Sequence, residues 1–122
     1  MNKNIEIIEY NNKKIIYSDY SNLGGNQFLD YVRSHYSAHR KIFENSNEKF
    51  LILTNVENAF ANREVMKLLK DSVKHNSPHI SKSAVIGIAG VQKLLLNSIN
   101  LFSKVNSKVC DNREEALKWL TE

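Results

Sequence analysis

The stretch Gly87-Ile88-Ala89-Gly90 follows the apolar run Ala84-Val85-Ile86 and leads into Val91-Gln92-Lys93-Leu94. Glycines between a strand and a helix can leave backbone N–H groups free to hold a phosphate. Both common forms of such a loop are excluded here. A dinucleotide fingerprint needs a third glycine where the helix packs on the strand, and none follows Gly90. A phosphate loop of the Gly-Lys-Ser/Thr kind needs its lysine directly after the glycine, whereas Lys93 comes two residues late and Leu94 has no hydroxyl. Two readings stay open: an anion held by backbone N–H groups, or glycines that serve close packing.

Other chemistry-bearing residues are sparse. His35 and His39 stand i,i+4 in HYSAH, without the glutamate of a zinc-binding HExxH. His75 and His79 flank a proline and share no defined face. No metal is implied. Cys110, the single cysteine, sits at the end of an apolar segment and reads as a small buried hydrophobe. Asp19 and Glu57 could reach one sheet edge, but two carboxylates with no base, metal or oxyanion donor define no reaction. The chain reads as non-enzymatic, with no cofactor.

These residues need a scaffold, and 122 residues with 42% hydrophobic content allow a real core in one domain, 1–122. One cysteine excludes an internal disulfide and fits a reducing, cytoplasmic setting. The longest apolar stretch, residues 84–91, falls well short of the roughly 20 residues that span a bilayer. The N-terminus lacks the continuous apolar core of a signal peptide.

The formal charge of +4 is unevenly placed: residues 1–60 balance seven basic against seven acidic side chains. Residues 61–110 carry eight basic against two acidic, and the last twelve carry two against four. Lys67, Lys70 and Lys74 fall three and four apart, with His75, His79 and Lys82 beyond them. No aromatic residues interleave this stripe, and one helix face makes no broad groove, which argues against nucleic acid.

Periodicity predicts strands over 5–10 and 13–20 joined by a tight turn at Asn11-Asn12. A helix over 28–43 follows, with Phe28, Val32, His35 or Tyr36, His39 and Phe43 as its inner stripe. A buried strand at 50–54 precedes a helix at 63–75, whose apolar stripe is Val65, Leu68, Leu69 and Val73. Pro78 stops that helix. A strand leading to the glycine turn, a helix over 91–102, a short strand ending at Cys110 and a capped helix after Asp111-Asn112 complete the chain. The order β-β-α-β-α-β-α-β-α predicts a three-layer α/β domain with a mixed, mostly parallel sheet flanked by helices. The helix at 91–102 is apolar on more than one face through Leu94, Leu95, Ile99 and Phe102. That surface needs a cover: the neighbouring helix, a second copy in a homodimer, or an apolar ligand.

Ser83-Ala84-Val85-Ile86-Gly87, Leu94 to Phe102, Lys108-Val109-Cys110-Asp111 and Glu114-Glu115-Ala116-Leu117-Lys118-Trp119-Leu120 resemble the SpoIIAA-like proteins. That family lies within the STAS (anti-sigma factor antagonist) superfamily, related to the SEC14 lipid-transfer domain. The earlier IIYSDYSNL is similar to its second strand and loop. The resemblance implies a bacterial, cytoplasmic, STAS-like domain that acts by binding a regulatory partner protein or a small ligand. In the anti-sigma antagonists a serine opening the helix after the third strand is phosphorylated. LTNVENAFANREV contains no serine, and Thr54 is its only hydroxyl, so that switch is not carried over. The surface expected to bind combines the ends of strands two to four: Asp19, Ser21, Asn55, Asn58, Gly87 and Gly90, with a small anionic ligand as one occupant. The alternative is a SEC14-like lipid or other apolar ligand around residues 91–102.

Overall fold

In a computed structural model of the chain, the structure describes residues 5–88 and 107–122, the side chain of Val73 excepted. A five-stranded sheet runs in the order β1-β2-β3-β4-β5. β1 (Ile5–Tyr10) and β2 (Lys13–Asp19) pair antiparallel, with Tyr10 opposite Lys13. Asn11 and Asn12 close this hairpin at φ 50° and 64°, the left-handed backbone that a two-residue turn demands and asparagine tolerates. β3 (Phe50–Asn55), β4 (Ile80–Ile86) and β5 (Ser107–Cys110) then add in parallel.

Alternation along the strands divides the core between two faces. Ile16 and Ile52 point to one side and meet Phe43 of α1 (Gly25–Glu44). Leu23, Phe28, Leu29 and Val32 continue that layer against Val65 of α2 (Arg63–Asn76). Ile15, Leu53, Ala84, Ile86 and Cys110 point to the other side and meet Ala116, Leu117 and Leu120 of α3 (Arg113–Leu120). Cys110 is buried, as its apolar context predicts. Helices thus flank a mixed, mostly parallel sheet on both faces, the architecture the alternating pattern predicts. The helix expected over 91–102 lies outside the described residues.

Local differences from the expected elements have simple causes. α1 starts three residues before Phe28 because its first turn, Gly25, Asn26 and Gln27, is exposed and carries no apolar signal. His35, not Tyr36, takes the buried position. Pro78 ends α2 through a single 3-10 turn, Ser77–His79. Asn112 caps α3 by accepting the Glu115 N–H at 2.8 Å, while a Glu115 carboxylate oxygen accepts the Asp111 N–H at 3.2 Å. Between Asp111 and Asn112, the asparagine is therefore the cap. Trp119 sits on the flank of α3, its ring centroid 5.1 Å from the Lys82 ammonium, which also donates to the Trp119 carbonyl.

Candidate functional site: a cleft at the carboxyl ends of the parallel strands

Two aspartate- or asparagine-mediated turns end the central strands. An Asp19 carboxylate oxygen accepts the Ser21 N–H at 2.9 Å, and Asn55 Oδ1 accepts the Glu57 N–H at the same distance. Such side chains replace the missing backbone partner and turn the chain at once. The loops they start are then laced together. Tyr20 N–H donates to the Asn55 carbonyl and Asn22 N–H to the Glu57 carbonyl, both at 2.8 Å. Val56 N–H donates to the Ile86 carbonyl, and Phe60 N–H to the Leu23 carbonyl, each at 2.9 Å. Asn22 and Asn58 both hold positive φ, and Asn58 Nδ2 donates to Asn22 Oδ1 at 3.3 Å. The parallel ladder effectively continues past the strand ends, so the loops form a fixed platform.

Beside this platform opens a cleft of about 630 Å³. Its lining comes from β2 (Tyr17), the end of β3 and the loop beyond it (Asn55 and Glu57 to Phe60), the end of β4 and the residues after it (Ile86 to Ile88) and the start of α3 (Asp111 to Arg113). Tyr17 is buried, accepts a hydrogen bond from Asn55 Nδ2 at 3.1 Å and carries the Arg113 guanidinium 4.9 Å from its ring centroid. Phe60 is 71% exposed. The charged lining is two carboxylates, Glu57 and Asp111, against one guanidinium, Arg113.

Gly87 decides how tightly β4 meets the neighbouring loop. Its φ is +86°, and a Cβ there would lie 2.5 Å from the Glu57 nitrogen. No side chain fits that approach, so close packing accounts for this glycine.

The structure brings three expected residues, Asn55, Asn58 and Gly87, into one cleft. Asp19 and Ser21 do not line it; they form the neighbouring turn. Gly90 and the apolar positions Leu94, Leu95, Ile99 and Phe102 lie outside the described residues. Tyr17, Phe60 and Arg113 were not singled out by sequence reasoning. Tyr17 and Arg113 are far apart in sequence, and their stacking has no local signature. Phe60 carried one available signal, an aromatic residue alone in a polar loop.

The four histidines do not gather into one site: the His35 and His39 rings lie 6.3 Å apart on the inner face of α1, while His75 and His79 each face another aromatic ring. His35 stacks on Tyr20 with ring centroids 4.7 Å apart, and its Nδ1 is buried without a hydrogen-bond partner among the described residues. His39 Nε2 lies 3.1 Å from Ser18 Oγ between α1 and the sheet. His75 Nδ1 lies 2.5 Å from the Tyr36 hydroxyl, and His79 stacks on Phe43. Among the described residues no group of three or more His, Cys, Asp or Glu could hold a metal ion. Burial lowers the His35 pKa to about 4, with His39 adding to the shift and Asp19 opposing it. Burial alone lowers His39 to about 4, and burial raises the Tyr20 hydroxyl and the Cys110 thiol, Glu115 adding to the latter. These shifts mark apolar surroundings rather than a reactive centre. Thr54 lies within β3, opposite Ser18 and Val85, not at a helix start.

No family model matches the sequence, and no curated protein sequence does either. Solved structures do match. An anti-sigma-factor antagonist (STAS) domain protein from Planctomyces limnophilus is similar with a TM-score of 0.66 and 12% identity, over 97% of this chain and 98% of that one. An uncharacterised protein with a SpoIIAA-like fold from Shewanella loihica is similar with a TM-score of 0.68 and 15% identity, over 95% of this chain and 91% of that one. At such identities the likeness is one of fold. The chain has a STAS/SpoIIAA-like fold.

Proposed function

We propose that this chain is a non-enzymatic binding domain of the STAS type, working in the bacterial cytoplasm, that engages a regulatory partner protein at the cleft. The observation that carries the reading is Phe60. It is a large aromatic side chain, 71% exposed, held on a loop whose backbone is pinned to the loop after β2. An aromatic anchor presented without loop ordering loses little entropy on association, which is how a few residues dominate an interface. Asn55, Asn58 and Asn112 supply a polar rim. The fold supports the reading only as analogy, since one fold hosts many functions.

A small anionic ligand is the second reading, favoured by Arg113 in the first turn of α3. Glu57 and Asp111 line the same cleft and would oppose an anion, so the partner-protein reading is preferred. An apolar ligand of the SEC14 kind, or a homodimer, at residues 91–102 rests on positions outside the described residues.

Affinity capture from cell extract, followed by titration of the purified partner, tests the proposal. Phe60→Ala is expected to weaken that complex at least tenfold while leaving the melting temperature unchanged. A partner bound equally by F60A would remove the cleft from the interface. Stabilisation by phosphorylated metabolites in a thermal shift screen, lost in Arg113→Ala, would support the small-ligand reading instead.

A further inference from the structure

Among the described residues, the outer face of α2 carries an aligned set of cations. Arg63, Lys67, Lys70 and Lys74 are all exposed, and at 100° per residue they fall within an arc of about 60°. The centre of that arc is opposite Val65 and Asn76, the buried positions of the helix. The four cations thus form a single row about 16 Å long along the outermost line of α2. None of them pairs with a carboxylate among the described residues. Glu64 and Asp71, the two acids of α2, are also exposed and sit together roughly a quarter-turn to one side.

We infer that this row is a docking surface for an acidic helical segment of a partner protein. The charge layout selects among polyanions. A duplex or an anionic bilayer is wide and would bring phosphates against Glu64 and Asp71 as well as the cations. A helix is one row wide. Carboxylates at i, i+4, i+7 and i+11 match the row in either direction, because that spacing is the same read backwards. Basic residues on one flank of such a helix would face Glu64 and Asp71. Charge complementarity of this kind steers association and fixes register. The surface is distinct from the cleft, and F60A leaves it intact, so the two proposals fail separately.

The test uses the full chain and a fluorescein-labelled helical peptide with Glu at those four spacings, beside a control with Gln there. Anisotropy at low salt should show at least tenfold tighter binding of the Glu peptide, weakening steeply as salt rises. The triple variant K67E/K70E/K74E should lose that binding and instead take a peptide with Glu opposite Arg63 and Lys at the other three positions, its unchanged circular dichroism and cooperative melting showing that it is folded. Equal binding of the Glu and Gln peptides would overturn the inference. So would a single-stranded oligonucleotide or phosphatidylserine vesicles binding more tightly than the Glu peptide and losing affinity on the same reversal.

Discussion

The Glu57 nitrogen stands 2.5 Å from the position that a Cβ on Gly87 would occupy, at a backbone φ of +86°. That approach joins the end of β4 to the loop after β3 and sets one wall of the cleft. A side chain at Gly87 is opposed twice, by conformation and by backbone atoms that cannot swing away.

Gly87→Ala is therefore expected to cost about 2–4 kcal/mol, combining left-handed strain with displacement of the Glu57 loop. Urea denaturation should show the loss, and Tm should fall on the order of 10 °C. A change under about 0.5 kcal/mol would mean the loop yields freely.

Acid should destabilise the fold through His35 and His39. Both pKa values lie at about 4 in the folded chain against 6.5 for a free histidine. Between these values the unfolded chain binds more protons, so stability is full above about pH 6.5 and is lost as pH falls toward 4. Each histidine contributes a slope of up to about 1.4 kcal/mol per pH unit. His35→Phe should flatten part of this dependence and leave stability at pH 7 unchanged or higher, because the orphaned Nδ1 disappears with the ring nitrogens. His39→Phe should flatten it too but cost about 1–2 kcal/mol at pH 7, because buried Ser18 loses its partner. Denaturation midpoints from pH 4 to 7.5 check both.

Asn112→Ala removes the cap of an eight-residue helix and should cost about 1 kcal/mol, with Asn112→Asp close to neutral. Chemical denaturation distinguishes the two. Equal losses would show that the cap hydrogen bond contributes nothing.

Asn12→Gly should stabilise the hairpin by a few tenths of a kcal/mol, since residue 12 holds φ 64° and Asn-Gly is the preferred pair for this turn. A lower Tm would contradict the turn geometry.

The sequence was a good guide wherever one segment's own pattern sets the outcome. The Asn11-Asn12 turn, the buried stripe of α1 and the stop at Pro78 are local: backbone conformational limits and apolar spacing act within a few residues. The α/β order follows from the same patterns repeated along the chain, because alternating strands and helices have few ways to bury their apolar faces.

The cleft was only half legible, for a physical reason. Asn55, Asn58 and Gly87 stand near strand ends, which a strand pattern locates. Tyr17 and Arg113 meet on one face of the sheet, the guanidinium over the ring, a contact no spacing encodes. His35 and Tyr36 are neighbours competing for one helix face. Only the packing of Tyr20 against that face placed His35 inside and sent Tyr36 to His75. By itself the sequence determined the elements and their order, through local sterics and hydrophobic period. Tertiary structure alone decided that Gly87 serves the Glu57 backbone rather than a phosphate, because that contact joins two loops about thirty residues apart.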